Sequence, residues 1–279
     1  MPRPRNKREL SRNDTAGIAP VLPSSLVATI DPALPKTAQV YEVIRRAIVR
    51  LAMPPGSAIN ERAICEQLGI SRTPLREAIL KLSDEHLVVI VPNSGTYVSR
   101  IDLQTVFDGQ LIRDALEIKV VGLAAIKMSS AFERKLDFNM YQQKRLAAEL
   151  DYDGFYELDE AFHSMICEHG ASSRIWKIVH GAKGQLDRVR RLAFPVPKHL
   201  ETVLTEHAAI ADGLRLRDPD AAAAAMKVHL DRVFETIRTL LIEKRDYFAS
   251  TSLEKLEDYT FEISGKRGRS KVVGEQARP

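Results

Sequence analysis

The run Leu68-Gly69-Ile70-Ser71-Arg72-Thr73-Pro74 constrains the fold more than any other part of the chain, because it ends one helix and starts another within three residues. Asn60 can cap a helix over 61–68, and Gly69 then takes the position just past its end, where a left-handed backbone suits a residue without Cβ. Ser71 opens a second helix over 72–84. Its hydroxyl can accept from the Thr73 amide, and Pro74 is tolerated because first-turn amides have no intrahelical partner. Upstream, Val40, Ile44, Ala47, Ile48 and Leu51 share one helical face, with Arg45, Arg46 and Arg50 off it, until Met53-Pro54-Pro55-Gly56 stops the helix. Downstream, two β-like runs at 87–92 and 96–100 flank Pro92-Asn93-Ser94-Gly95, a hairpin by its turn chemistry. Helix, helix, short turn, helix and hairpin is the layout of a winged helix-turn-helix.

From Leu103 onward every strong periodic signal is helical, with helices predicted over 103–129, 131–149, 151–169, 173–193, 198–216 and 218–247. The expected fold is therefore mainly α: a winged helix-turn-helix of three helices plus a β-hairpin wing, followed by an all-α helical bundle. Four segments result: a mobile basic arm over 1–35, the DNA-binding domain over 36–101, the helical domain over 102–248 and a flexible tail over 249–279. A length of 279 residues suits two modest domains with tails. The net charge of +4 hints only weakly at an anionic partner, since its placement matters more than its sum. Cys65 and Cys167 form no CxxC pair, no signal-length apolar run follows the basic N-terminus, and no apolar stretch spans a bilayer. The expectation is a cytoplasmic protein without membrane contact.

A recognition helix presents its N-terminal residues to base edges in the major groove. Arg72, Thr73 and Arg76 occupy that first turn and a half, and an arginine can reach guanine O6 and N7 with two parallel bonds. Leu75, Ala78, Ile79 and Leu82 lie on the opposite side and can pack inward. The Gly95 turn can carry the wing toward the adjacent backbone, with Asn93, Ser94 and Thr96 as short polar contacts. Arg45, Arg46 and Arg50 are phosphate contacts if their face lies toward DNA.

In the second half, Asp159 and His163 stand four apart on one predicted helix and so project from one face, while His207 and His229 lie on two later helices. Facing helices of a bundle can converge such ligands on a divalent cation. One oxygen and three imidazoles suit zinc first, with nickel, manganese and iron as alternatives. Each residue alone also has an ordinary reading as a buried, hydrogen-bonded side chain.

Over residues 36–101 the chain resembles the N-terminal domain of GntR-family regulators. The resemblance is carried by Pro55-Gly56, Ile59-Asn60-Glu61, the run Leu68 to Ala78, Leu82, Leu87 and Gly95. It implies that Arg72 and Arg76 contact operator bases or phosphates, with Thr73 and Gly95 beside them, and that Glu61 and Glu77 orient the fold. Residues 103–247 resemble the FadR-type ligand-binding domain, FCD, through Arg113-x-x-x-Glu117, Leu158-Asp159-x-x-Phe162-His163, Glu206-His207-x-x-Ile210 and His229-Leu230. In the metal-binding members these positions supply one aspartate and three histidines, so the resemblance implies the ligand set Asp159, His163, His207 and His229. The chain departs from the common Gly-Asn pair at Gly170-Ala171, which touches local helix geometry only. Arg113 becomes the candidate for an effector's acid group, since guanidinium matches carboxylate as a planar fork, with a salt bridge to Glu117 as the alternative. His180 is a further candidate contact at the effector or ligand set. The family implies a homodimer on a palindromic operator, and the expected function is a regulator, a repressor first, whose operator affinity answers to a small organic acid at the metal site. A regulator answering to the metal itself and a metallohydrolase are the rival readings.

Overall fold

Helix ends in the N-terminal half fall where capping chemistry places them. The computed structural model describes residues 22–31 and 33–250. Here α1 spans Ser24–Val27, α2 Lys36–Val49, α3 Glu61–Leu68 and α4 Arg72–Asp84. The Asn60 side chain accepts from the Ala63 amide at 3.0 Å, and Gly69 ends α3 with φ +59°. Ser71 stands at the N-cap of α4 but its hydroxyl makes no capping bond. Residues 71–73 are exposed, so solvent competes for these amides. α2 packs on α4 through Ile44, Ile48, Leu75, Ile79 and Leu82, all buried. β1 (Val88–Val91) and β2 (Gly95–Val98) pair antiparallel with Val91 opposite Gly95, whose φ of +138° favours glycine at the wing tip.

Residues 22–35 are not the arm that their prolines suggested. Leu22 and Leu26 are 2% and 3% exposed and belong to the winged-helix core. Gln67 accepts from the Leu22 amide at 3.1 Å and donates to its carbonyl at 2.7 Å. Two leucines one helical turn apart outweigh the lack of a longer period. Residues 1–21 of the expected arm and 251–279 of the expected tail lie outside the described residues.

The helical half comprises α5 (Leu103–Ile126), α6 (Ser130–Ala148), α7 (Tyr152–Gly170), α8 (Ser173–Ala182), α9 (Gly184–Ala193), α10 (His199–Arg215), α11 (Pro219–Asp231) and α12 (Val233–Glu243). α5 packs against α7, α8, α9, α10 and α11 and so runs through the centre of the bundle. Two predicted helices are each broken in two. The one over 173–193 breaks at Lys183, flanked by Gly181 and Gly184, which hold helix weakly. There the buried Lys183 ammonium turns to Glu160 and Asp187, both at 2.6 Å. The one over 218–247 breaks at Arg232, whose side chain reaches Glu206 at 2.6 Å, and a 3₁₀ turn at Arg245–Tyr247 follows α12. Beyond that turn the chain returns to the link between the halves, as the Ile101 amide donates to the Tyr247 carbonyl at 2.8 Å. Among the described residues no helix is long and apolar enough to cross a membrane.

Candidate metal centre and DNA-binding face

α7 projects Asp159 and His163 inward, α10 projects His207, and α11 projects His229, all four buried. One ligand atom from each lies within 4.8 Å of all the others. His163 Nε2 is 3.2 Å from His229 Nε2, and His207 Nε2 is 3.6 Å from Asp159 Oδ1. Four ligands at the usual zinc bond length stand about 3.4 Å apart in a tetrahedron. The spacing therefore fits a cation at the centre.

The outer nitrogens of the three rings show which way the inner ones point. His163 Nδ1 lies 2.6 Å from Glu117 Oε2, and His229 Nδ1 lies 3.0 Å from Glu206 Oε2. His207 Nδ1 is 2.8 Å from Gln143 Oε1, and the Gln143 amide nitrogen is committed to Asn139 Oδ1 at 2.7 Å. The oxygens behind His207 and His229 can only accept, so their Nδ1 atoms carry the proton and their Nε2 atoms turn a lone pair inward, while His163 Nε2 faces the donor-only guanidinium of Arg113 at 3.4 Å. Burial, then the neighbouring imidazoles, hold His207 and His229 well below the ordinary histidine range. Asp159 and Glu117 stay ionised against the pull of burial, Asp159 because of Arg190 and Glu117 because of Arg113. Asp159 Oδ1 and His207 Nε2 have no hydrogen-bond partner among the described residues. Three ring nitrogens and an ionised carboxylate crowd one buried point, an arrangement that a divalent cation would relieve.

Arg113 makes the expected salt bridge to Glu117. Its Nε donates to Glu117 Oε1 at 2.7 Å, while Nη2 lies 3.4 Å from His163 Nε2. With Arg190 and Arg232 it lines a small cleft beside His229. His180 does not join it. Its ring lies 3.5 Å from Glu160 Oε2 and beside Trp176, in a different cleft between α2 and the helical half, because α8 ends two residues later and turns that face away from the cluster. Cys167 is buried away from water, which pushes its thiol up to about 12. Glu117, Gln143, Glu206 and Arg190 are the functional neighbours not singled out for a site role from sequence. Glu117 and Glu206 stood inside quoted motifs, whereas Gln143 and Arg190 carried no local signal.

On the other half, Arg72, Thr73 and Arg76 are exposed at the start of α4, and among the described residues neither guanidinium has an ion-pair partner. The arginines of α2 face elsewhere. Arg46 Nη2 lies 3.8 Å from Glu157, Arg50 pairs with Glu157 and Asp153, and Arg45 is buried against Glu85 and Asp187. Arg46 thus leans toward Glu157 of α7 while its side chain stays 41% exposed. Thr96 is also withdrawn from the wing surface: it is 7% exposed and donates to Glu61 Oε1 at 2.8 Å. Glu61 and Glu77 both serve the fold, Glu77 by accepting from the Thr37 hydroxyl at 2.9 Å.

Residues 110–232 match the FCD domain, and residues 36–98 match the gntR family of bacterial regulatory proteins. Over 220 residues the chain is 32% identical to the HTH-type transcriptional repressor RspR of Escherichia coli (strain K12), covering 79% of this chain and 96% of that one. It is 33% identical over 211 residues to an HTH-type transcriptional regulator in an unstable DNA locus of Streptomyces ambofaciens, covering 76% and 89%. In fold it resembles E. coli McbR/YncC, with a TM-score of 0.67 at 17% identity over 74% of this chain and 98% of that one.

Proposed function

As the chain belongs to the GntR family of bacterial regulatory proteins, with an FCD domain as its helical half, we propose that it is a cytoplasmic repressor whose operator affinity is set by a small organic acid bound beside a divalent cation. The family and these relatives are transcriptional regulators, not enzymes, which sets the hydrolase reading aside. The observation that carries the proposal is the convergence of three buried imidazole Nε2 atoms with Asp159, the rings of His207 and His229 each held by an acceptor behind it. Asp159, His163, His207 and His229 would hold the cation, zinc first by its ligand set. A bound cation supplies a Lewis-acid position for an effector carboxylate.

Arg113, Arg190 and Arg232, each also paired with a carboxylate, line the cleft, whose space of about 30 Å³ suits a carboxylate group. That lining favours an acid as the signal over the metal alone. At the other end, Arg72, Thr73 and Arg76 read the operator, with Gly95 bringing the wing tip to the backbone. Two copies on a palindrome place two α4 helices about one duplex turn apart. The effector acts through the short link at Ser99–Asp102. Two measurements test the reading on full-length protein: metal content of Asp159→Ala and His207→Ala, and a thermal-shift screen of organic acids on zinc-loaded wild type. Loss of metal in both variants and a stabilising acid that alters operator binding are expected; unchanged metal content refutes the site.

A further inference from the structure

One ten-residue helix, α9, touches the metal cluster with one end and the DNA-binding half with the other. Near its C-terminus Arg190 Nη2 donates to Asp159 Oδ2, while Nη1 lies 3.4 Å from both Glu160 and Asp187. One turn earlier, Asp187 Oδ2 lies 3.7 Å from Arg45 Nη2 of α2. Arg45 Nε donates to Glu85 Oε2 at 3.1 Å, and Glu85 is the C-cap of α4 and also accepts from the Tyr41 hydroxyl. Charges therefore alternate without a break from Asp159 through Arg190, Asp187 and Arg45 to the end of the recognition helix. Asp159 and Asp187 are 0% exposed, Arg45 2% and Arg190 8%.

Such a chain is a poor way to gain stability, since the desolvation of buried ions cancels most of their attraction and apolar replacements are often neutral or stabilising. What buried pairs do supply is one preferred geometry. Other side chains of α9 fix that geometry to the interdomain link: Arg188 Nη2 donates to the Ser99 carbonyl at 2.8 Å, and Gln185 donates to Ser99 Oγ at 2.9 Å. Arg188 is fully buried, among the described residues without a carboxylate partner, and burial pulls its pKa down to about 9.

We infer that Arg190 and Asp187 are the positioning residues through which occupancy of the Asp159 cluster sets the seating of α2 and α4. The inference rests on the reading of that cluster as a cation site. With a dication on Asp159, Arg190 faces a carboxylate whose charge is already compensated, and its attraction passes to Asp187 and Glu160. Asp187 then holds Arg45 less tightly, and Arg45 leans on Glu85. Arg190 also lines the cleft beside His229, so an anion bound there draws on the same guanidinium.

The test uses full-length protein, zinc alone as the probe, and operator DNA selected in vitro from a random pool. Asp187→Asn keeps the side-chain shape, and Lys183 keeps Glu160 at 2.6 Å, so no cation is left unpaired. Arg45→Met removes the charge at the other end of the link. In wild type, zinc should change operator affinity by about fivefold or more and alter amide exchange over residues 36–49 and 72–84. In both variants, zinc should still bind while those responses disappear. Responses that persist in both variants overturn the inference. So does a wild type that binds zinc without any response, which leaves the metal site standing. A wild type that binds no zinc removes the metal reading and the inference together.

Discussion

Gln143→Leu isolates the contribution of one acceptor to metal binding. Gln143 is 0% exposed and meets the cluster only through the 2.8 Å bond from His207 Nδ1 to its Oε1. Leucine fills similar space and removes that acceptor. In the metal-binding tautomer the Nδ1 proton is then buried without a partner, at a cost of about 1–3 kcal/mol. Without metal the ring escapes by moving its proton to Nε2, which faces Asp159 Oδ1 at 3.6 Å. Cation binding must reverse that move, so this cost falls on affinity, while loss of the amide hydrogen bond to Asn139 adds a separate folding cost that the unfolding measurement reads. At about 1.4 kcal/mol per decade, zinc affinity should drop by roughly 5- to 150-fold, in line with the ten- to hundredfold usual for such supporting residues, to within about a factor of two. Competition with a chelating dye at neutral pH measures it, alongside urea unfolding of the metal-free protein. Gln143→Glu keeps an oxygen acceptor in place and should recover most of the loss. If Gln143→Leu binds zinc within about twofold of wild type, a difference under roughly 0.5 kcal/mol, the inward orientation of His207 Nε2 is not set by Gln143 and the tautomer argument fails.

Three further outcomes follow from the same geometry. Arg72→Ala and Arg76→Ala should each weaken operator binding by about 1–3 kcal/mol in gel-shift titrations while leaving the melting temperature alone, since both side chains are exposed; unchanged operator affinity in the double variant would remove α4 from the groove. Leu26→Ala should cost about 2–5 kcal/mol in urea unfolding, because Leu26 is 3% exposed in the winged-helix core; a cost near zero would return residues 22–35 to an arm. His207 and His229 are held below the ordinary histidine range by burial first, so the unfolded chain takes up protons that the folded one refuses. Stability of the metal-free protein should be complete above about pH 6.5 and fall by roughly 1.4 kcal/mol per group per pH unit below it, and a flat profile from pH 7 to 5 would contradict the buried neutral rings.

The DNA-binding half was legible because its determinants are local. Asn60, Gly69 and Gly95 each act through their own backbone or a neighbour three residues on, so spacing alone locates the turn and the wing. The buried cluster was legible in part for a related reason: Asp159 and His163 share a helical face whatever the rest of the bundle does, whereas His207 and His229 were joined to them by the family resemblance. What sequence spacing does not encode is the partner of a charge far along the chain. Arg45, Arg46 and Arg50 looked available to phosphate, yet carboxylates from α7 and α9, more than a hundred residues away, claim all three. His180 went astray with them, because the break at Lys183 turns α8 toward Glu160. These misreadings converge on one place, the contact of α2 with α7, α8 and α9. The basic face of α2 is paired there with carboxylates of the helical half, Arg46 and Arg50 with α7 and Arg45 with α9. Because only Arg45 of these three meets α9, a shift of that helix would reach the end of α4 through Glu85 while the Arg46 and Arg50 pairs stay in place.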